Sequence, residues 1–249
     1  MRSLQTLSGL FLAAVVAGLP ALRAQEEGAV RAGAEIVSRQ VFRGLEMARA
    51  STQADVGLSR GNWRAGAWAN LPFSSSDRRE FDLSGGYSWR PSSAVSLEAS
   101  IRGAWWGRAL ASGNRDALEA GLVATFDPLG GITPGLGCYH DFRREADTVE
   151  ATFAYSIPLA KLGTYVDLSG AAGWVAGKNW RPEFGGAHHS DGYRYWALAA
   201  QVPYRVGPHS TVIIGAHYAD ADGHSLIDGA FSLPSRRNFW MSLGVSLDF

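Results

Sequence analysis

Apolar and polar residues alternate position by position through segment after segment of this chain. The clearest case is the last one. From Phe239 onward Phe239, Met241, Leu243, Val245, Leu247 and Phe249 fall on every second position, with Asn238, Ser242, Gly244, Ser246 and Asp248 among the residues between them. A period of two is that of a β-strand with one apolar face. The same pattern sets Val95, Leu97, Ala99, Ile101 and Trp105 against Ser96, Glu98, Ser100 and Arg102, and Phe81, Leu83, Tyr87 and Trp89 against Glu80, Asp82, Ser84 and Ser88. Weaker versions occupy 30–41, 51–59, 63–71, 118–126, 149–157, 164–176, 196–204 and 211–219. The glycine-rich stretch 132–142 reads as a strand whose facing is open.

The connections carry a second pattern. Those after the second, fourth, sixth, eighth and tenth strands are tight (for example Arg60-Gly61-Asn62 and Gly207-Pro208-His209). Those after the odd-numbered strands are longer: 42–50, 74–79, 107–115, 143–147, 177–191 and 220–236. The fold class this predicts is all-β: a transmembrane antiparallel up-and-down barrel of about twelve strands, with short periplasmic turns and longer extracellular loops. In a bilayer an open sheet edge leaves backbone groups unpaired, so an even strand count with first and last strands joined is required. Pro72, Pro134, Pro158 and Pro203 are expected at or near strand ends, where a missing donor does least harm. A soluble β-sandwich accounts for the period but gives no reason for connections that alternate in length. The final strand resembles the C-terminal strand of bacterial outer-membrane barrels; the resemblance implies outer-membrane lipid and the barrel-assembly machinery as partners, the latter through the strand ending at Phe249.

Composition narrows the function classes. With 23 basic and 23 acidic residues the chain has no electrostatic footprint for nucleic acid. Abundant glycine and tryptophan, with a mean hydropathy near zero, suit alternating strands and aromatic girdles. Cys138 stands alone and has no internal disulfide partner. Arg2, the apolar run 10–19, Pro20 and Leu22-Arg23-Ala24 have the form of an export signal cut after Ala24, which leaves 25–249 as one barrel domain bound for the outer membrane of a diderm bacterium.

Val41-Phe42-Arg43-Gly44, then Gln53, then the run from Gly61 to Asn70 (GNWRAGAWAN) resemble the N-terminal signature of the TorF-type porin family, in which an aromatic-Arg-Gly turn precedes a Gln-bearing strand and a strand with a Trp and Asn pair. The run EFDLSGGY, 80–87, resembles the next family block, and the likeness covers about 37–89. Ser38-Arg39-Gln40 replaces the family's polar-aromatic run, as in a divergent member. The resemblance implies an outer-membrane location and a porin role, and no catalytic residues.

If the apolar face meets lipid, the other face lines the interior. The candidate pore-lining residues are Arg31, Glu35, Arg39, Asp55, Arg64, Glu80, Asp82, Glu98, Arg102, Glu119, Glu150 and Asp167, with Asp248 beside them. Both signs are present with an acidic excess, which fits a mildly cation-preferring channel for small polar solutes or ions. The same charges could instead pair, as Glu98, Arg102 and Glu119 could, and close a structural or adhesive barrel. His188-His189 beside Ser190 and Asp191, and His224 in the last loop, raise a lipid or peptide hydrolase at the rim as an alternative; adjacency on one loop does not define a triad, and a polar solvated loop uses the same residues. His140 and His217 lie in strands, as girdle or lumen residues. Trp63, Trp89, Trp105 and Trp196 fall in the outward phase expected of an interfacial belt. No cofactor and no metal site is predicted, since spacings such as H-E-x-x-H are missing from the sequence.

Overall fold

The computed structural model describes residues 28–107, 116–177, 193–222 and 237–249. The alternating segments form twelve strands: β1 (Gly28–Phe42), β2 (Leu45–Arg60), β3 (Trp63–Pro72), β4 (Arg79–Ser92), β5 (Val95–Gly107), β6 (Ala117–Phe126), β7 (Thr133–Asp141), β8 (Ala146–Leu159), β9 (Thr164–Gly177), β10 (Tyr193–Gly207), β11 (Ser210–Asp222) and β12 (Arg237–Asp248). Each pairs antiparallel with its sequence neighbours, and β12 returns to β1, so the sheet is a closed barrel. At the seam Arg31 stands opposite Asp248 and Val37 opposite Ser242. Val30 and Phe249 exchange backbone hydrogen bonds in both directions, at 3.1 and 2.8 Å. Closure leaves no edge strand.

The two faces follow the sequence phase. Ile36, Leu243 and Ile214 lie side by side across β1, β12 and β11 and are more than half exposed. Leu83, Ile101, Leu122, Leu136, Val149 and Leu198 continue this outer apolar band. Aromatic residues collect at its two ends. Toward the short-turn end Trp63 meets Tyr87 edge to face and Tyr87 stacks on Trp89, with Tyr155 and Tyr204 on the same level. Toward the other end lie Phe81 against Trp105 and Trp196 against Tyr218, with Trp174 and Phe239. Two aromatic belts around an apolar band is the arrangement of a transmembrane barrel.

Three expectations are corrected and one open point is resolved. The connection at 42–50 is strand rather than loop: β1 runs to Phe42, Arg43-Gly44 is a two-residue turn and β2 starts at Leu45. A bulge at Met47, where Gln40 pairs with Ala48 and Val41 with Glu46, breaks the alternation that the sequence would otherwise display. Connection lengths are therefore not strictly asymmetric; the turn 142–145 is also shorter than 127–132 on the opposite end. Pro203 lies within β10 rather than at its end. The β9–β10 ladder stops at Gln201 opposite Asp167, and the Thr164 hydroxyl donates to the Pro203 carbonyl, so the missing N–H costs no ladder bond. The facing of β7 is now defined: Tyr139 and Asp141 point inward with Gly135 and Gly137, while Leu136 and Cys138 point outward.

Candidate functional site

The interior is organised by a hairpin that leaves the wall. β1 pairs with β12 only as far as Val37, and β2 pairs with β3 only from Ser51 onward. Between those points, from Ser38 to Arg49, the strand pairing is within the hairpin alone: Arg39 opposite Arg49, Gln40 opposite Ala48 and Phe42 opposite Leu45. Gln40, Gly44 and Ala48 within it are buried. Contacts between strands that are not neighbours in a closed barrel must cross its interior, and this hairpin makes them in several directions. The Gln40 amide donates to Glu80 of β4 at 2.6 Å and Arg43 pairs with Glu119 of β6 at 2.6 Å; from the neighbouring β12, Asn238 donates to the Gly44 carbonyl at 3.2 Å. A Cβ added to Gly44 would stand 2.8 Å from Cβ of Tyr195 in β10 and 3.0 Å from that of Ala221 in β11, so the tip is wedged where only glycine fits.

Around the tip, rings and guanidinium groups interleave. The Phe42 ring lies between Arg43 and Arg102, at 4.9 and 4.8 Å, and Arg43 also faces Tyr139 at 4.9 Å. Glycines clear the space for the tyrosines: a Cβ on Gly173 would come within 2.5 Å of the Tyr195 ring, and one on Gly121 within 2.5 Å of the Tyr139 ring. The Tyr195 hydroxyl donates to Glu150. Phe42, Arg43, Arg102, Trp106, Glu119 and Tyr193 are among the residues lining one cavity on the loop side of the tip.

The structure distributes the candidate pore residues into pairs. Arg102 bonds both Glu80, at 3.2 Å, and Asp82, at 2.6 Å; both carboxylate side chains are under a tenth exposed. Arg64 pairs with Glu98. Arg39 pairs with Glu46 at 3.0 Å and reaches Asn238 at 3.4 Å. Arg31 donates to the Ser246 hydroxyl at 3.0 Å, and Ser156 donates to Asp167 at 2.5 Å. Glu35 and Asp55 lie on the same inner face, Asp55 directly over Gly33 in the register. The expected Glu98, Arg102 and Glu119 grouping does not form. Arg102 stands opposite Glu119 in register but turns to β4, because Glu119 is taken by Arg43.

Sequence reasoning missed Gln40, Arg43, Tyr139, Tyr193 and Tyr195. The Arg43-Gly44 pair between Phe42 and Leu45 was the available signal, since Xaa-Gly between apolar residues marks a two-residue hairpin. His217 lines the interior, its ring stacked on Trp240 at 4.9 Å and its Nε2 3.0 Å from the Ser242 hydroxyl. His140 sits on the outer face near the loop end, against Asp147 at 2.7 Å. His188, His189, Ser190, Asp191 and His224 lie outside the described residues. Among the described residues no group of three His, Cys, Asp or Glu side chains is placed to hold a metal ion.

A rim clamp ties the hairpin's β2 leg to the β3–β4 loop. The Arg49 backbone N–H donates to Asp77 at 2.9 Å, and its guanidinium donates to Asp77, Ser74 and Ser76 at 3.0, 2.8 and 2.7 Å. The Arg49 hydrogen bonds hold the Asp77 carboxyl below its ordinary value. A carboxyl with a depressed folded-state pKa contributes fully above its unfolded pKa of about 3.9 and loses that contribution as pH falls through the lowered value. The Arg49 amide resonance is expected to titrate with a midpoint under about 3.9; a midpoint at or above that value would mean the clamp is not formed.

No protein-family model matches the chain, and no curated protein matches it. Among solved structures it is similar to the KdgM porin, at 9% identity and a TM-score of 0.56, over 89% of this chain and 99% of that one. It is also similar to the KdgM porin in complex with disordered oligogalacturonate, at 9% identity and 0.55 over the same shares, and to the NanC porin, at 13% identity and 0.52 over 89% and 99%. At these identities the likeness is one of fold: a closed, twelve-stranded antiparallel barrel.

Proposed function

We propose that the chain is a porin of the bacterial outer membrane, through which small polar solutes or ions diffuse. The observation that carries this reading is the opposition of the two faces: an apolar band between aromatic belts outside, and a lining of arginines, carboxylates and hydroxyls inside. In this reading residues 1–24 are an export signal, the barrel-assembly machinery engages β12, and membership of the TorF-type porins follows from the residues between 37 and 89. Fold similarity to the KdgM and NanC porins supports the same class.

In this reading the carboxylates of the lining are not equivalent. Glu80, Asp82, Glu98 and Glu119 each face an arginine at ion-pair distance. Glu35 and Asp55 lie on adjacent strands with a serine, Ser242, and the more distant Arg31 as their partners. Carboxylates without a close arginine leave net negative potential in the lumen; Glu150 and Asp167 stand singly against Tyr195 and Ser156, while Glu35 and Asp55 stand together, so cation preference is concentrated at that pair. Conductance of the refolded protein in a planar bilayer, under a salt gradient, is expected to give a cation-selective reversal potential. Glu35→Gln with Asp55→Asn is expected to move it toward zero, and an unchanged potential in the double variant would remove the assignment. A barrel that folds and stays silent both as wild type and in every lumen variant would remove the channel itself.

A further inference from the structure

We infer that the tip of the β1–β2 hairpin is the constriction of the channel, and that the Arg43–Glu119 pair is the latch that holds it across the lumen and sets the size of solute that passes. This rests on the channel reading above. Three independent features carry it.

The first is the register. Both legs of the hairpin lose their wall partners, after Val37 on one side and before Ala50 on the other, where the Phe73 N–H donates to the Ala50 carbonyl at 3.0 Å, so no β-ladder to the wall holds Ser38 to Arg49 in place. Its position is set chiefly by side chains, and the contacts that reach from it to β4, β6, β10 and β11, none of them a ladder neighbour across the turn, span the interior.

The second is the turn. Arg43 and Gly44 have φ of 47° and 81°, the two positive values of the hairpin turn that Asn-Gly and Gly-Gly suit best. An arginine there is strained relative to asparagine or glycine. Backbone preference does not account for arginine at this position, and its side chain does. The guanidinium bonds Glu119 at 2.6 Å, with each side chain 13% exposed, and packs on the Phe42 and Tyr139 rings.

The third is location. Arg43 and Glu119 both line the loop-side cavity, while Arg64, Glu98, Glu35 and Asp55 lie toward the short-turn side of the tip. A solute moving from one compartment to the other passes the pair.

Arg43→Asn separates the latch from the fold, because asparagine favours the turn and so protects folding while it removes the guanidinium. In planar bilayers, Arg43→Asn and Glu119→Gln are each expected to raise single-channel conductance by roughly two-fold or more, and to admit larger neutral polyethylene glycols in a polymer-exclusion series. The charge-reversed pair, Arg43→Glu with Glu119→Arg, is expected to return both readouts toward wild type. Heat-modifiable mobility on gels establishes that each variant is a folded barrel. A wild type that conducts, with conductance and exclusion limit unchanged in Arg43→Asn and Glu119→Gln, would overturn the latch and leave the channel reading intact. If wild type and both variants are folded and silent, the channel reading fails and the latch falls with it. A silent wild type beside a conducting Arg43→Asn would support a latch that is closed at rest.

Discussion

Replacing Arg102 with Ala is expected to destabilise the barrel by about 3–5 kcal/mol, the range for breaking a buried ion pair by removing one partner. Arg102 is the shared partner of Glu80 and Asp82, whose carboxylates are 5% and 9% exposed. Its loss leaves two adjacent negative charges in the interior, while the Gln40 amide still donates to Glu80. The guanidinium also lies over Phe42, so packing on the hairpin is lost with the charge. Arg64→Ala provides the contrast. Arg64 is 54% exposed and its pair with Glu98 is water-accessible, so removing it is expected to cost about 0–1 kcal/mol. Replacing the whole set, Arg102→Met with Glu80→Gln and Asp82→Asn, is expected to recover most of the stability, because the cost comes from orphaned charge rather than from a lost net gain. Urea unfolding of the protein refolded into lipid vesicles measures all three. A penalty under about 1 kcal/mol for Arg102→Ala would mean that water reaches Glu80 and Asp82 freely.

That network also marks where the sequence stops being informative. The outer face was legible almost residue by residue, since lipid demands an apolar side chain at every second position and tolerates few exceptions; the assignments in β4, β5 and β12 hold from end to end. The inner face obeys a looser demand, that polar groups find some partner, and many pairings satisfy it. The candidate lining residues could be named by phase, but Arg102 turning to Glu80 rather than Glu119 depends on Arg43, which reaches Glu119 from a turn far away in sequence. The inward hairpin was illegible for a related reason. Ser38 to Arg49 is defined by where β12 and β3 cease to pair with it, a property of the neighbouring strands, and the bulge at Met47 hides its strand character. In β7 the glycines that accommodate Tyr139 are also what erased its alternation.

Leu243→Arg tests the outer face with the largest expected effect there. Leu243 lies midway between the aromatic ends of β12, Phe239 and Phe249, and is flanked across the ladders by Ile36 and Ile214, all three apolar and more than half exposed. A guanidinium at that depth has no polar partner on the outer surface and must draw water or headgroups toward the bilayer centre. The cost for arginine near the midplane of a barrel is about 2–4 kcal/mol, falling to about 0–1 near the interface. Trp63→Arg, at the first position of β3 in the short-turn belt, is therefore expected to sit at the low end even though Trp63 is 66% exposed. Urea unfolding in vesicles separates the two substitutions. Equal small effects would show that the band of Ile36, Leu243 and Ile214 does not face hydrocarbon, and the barrel would then be a soluble one. A difference of the expected size ties depth in the bilayer to position along the strand, because the one ring contact that separates the sites, Trp63 against Tyr87, is lost in Trp63→Arg and so works against the difference.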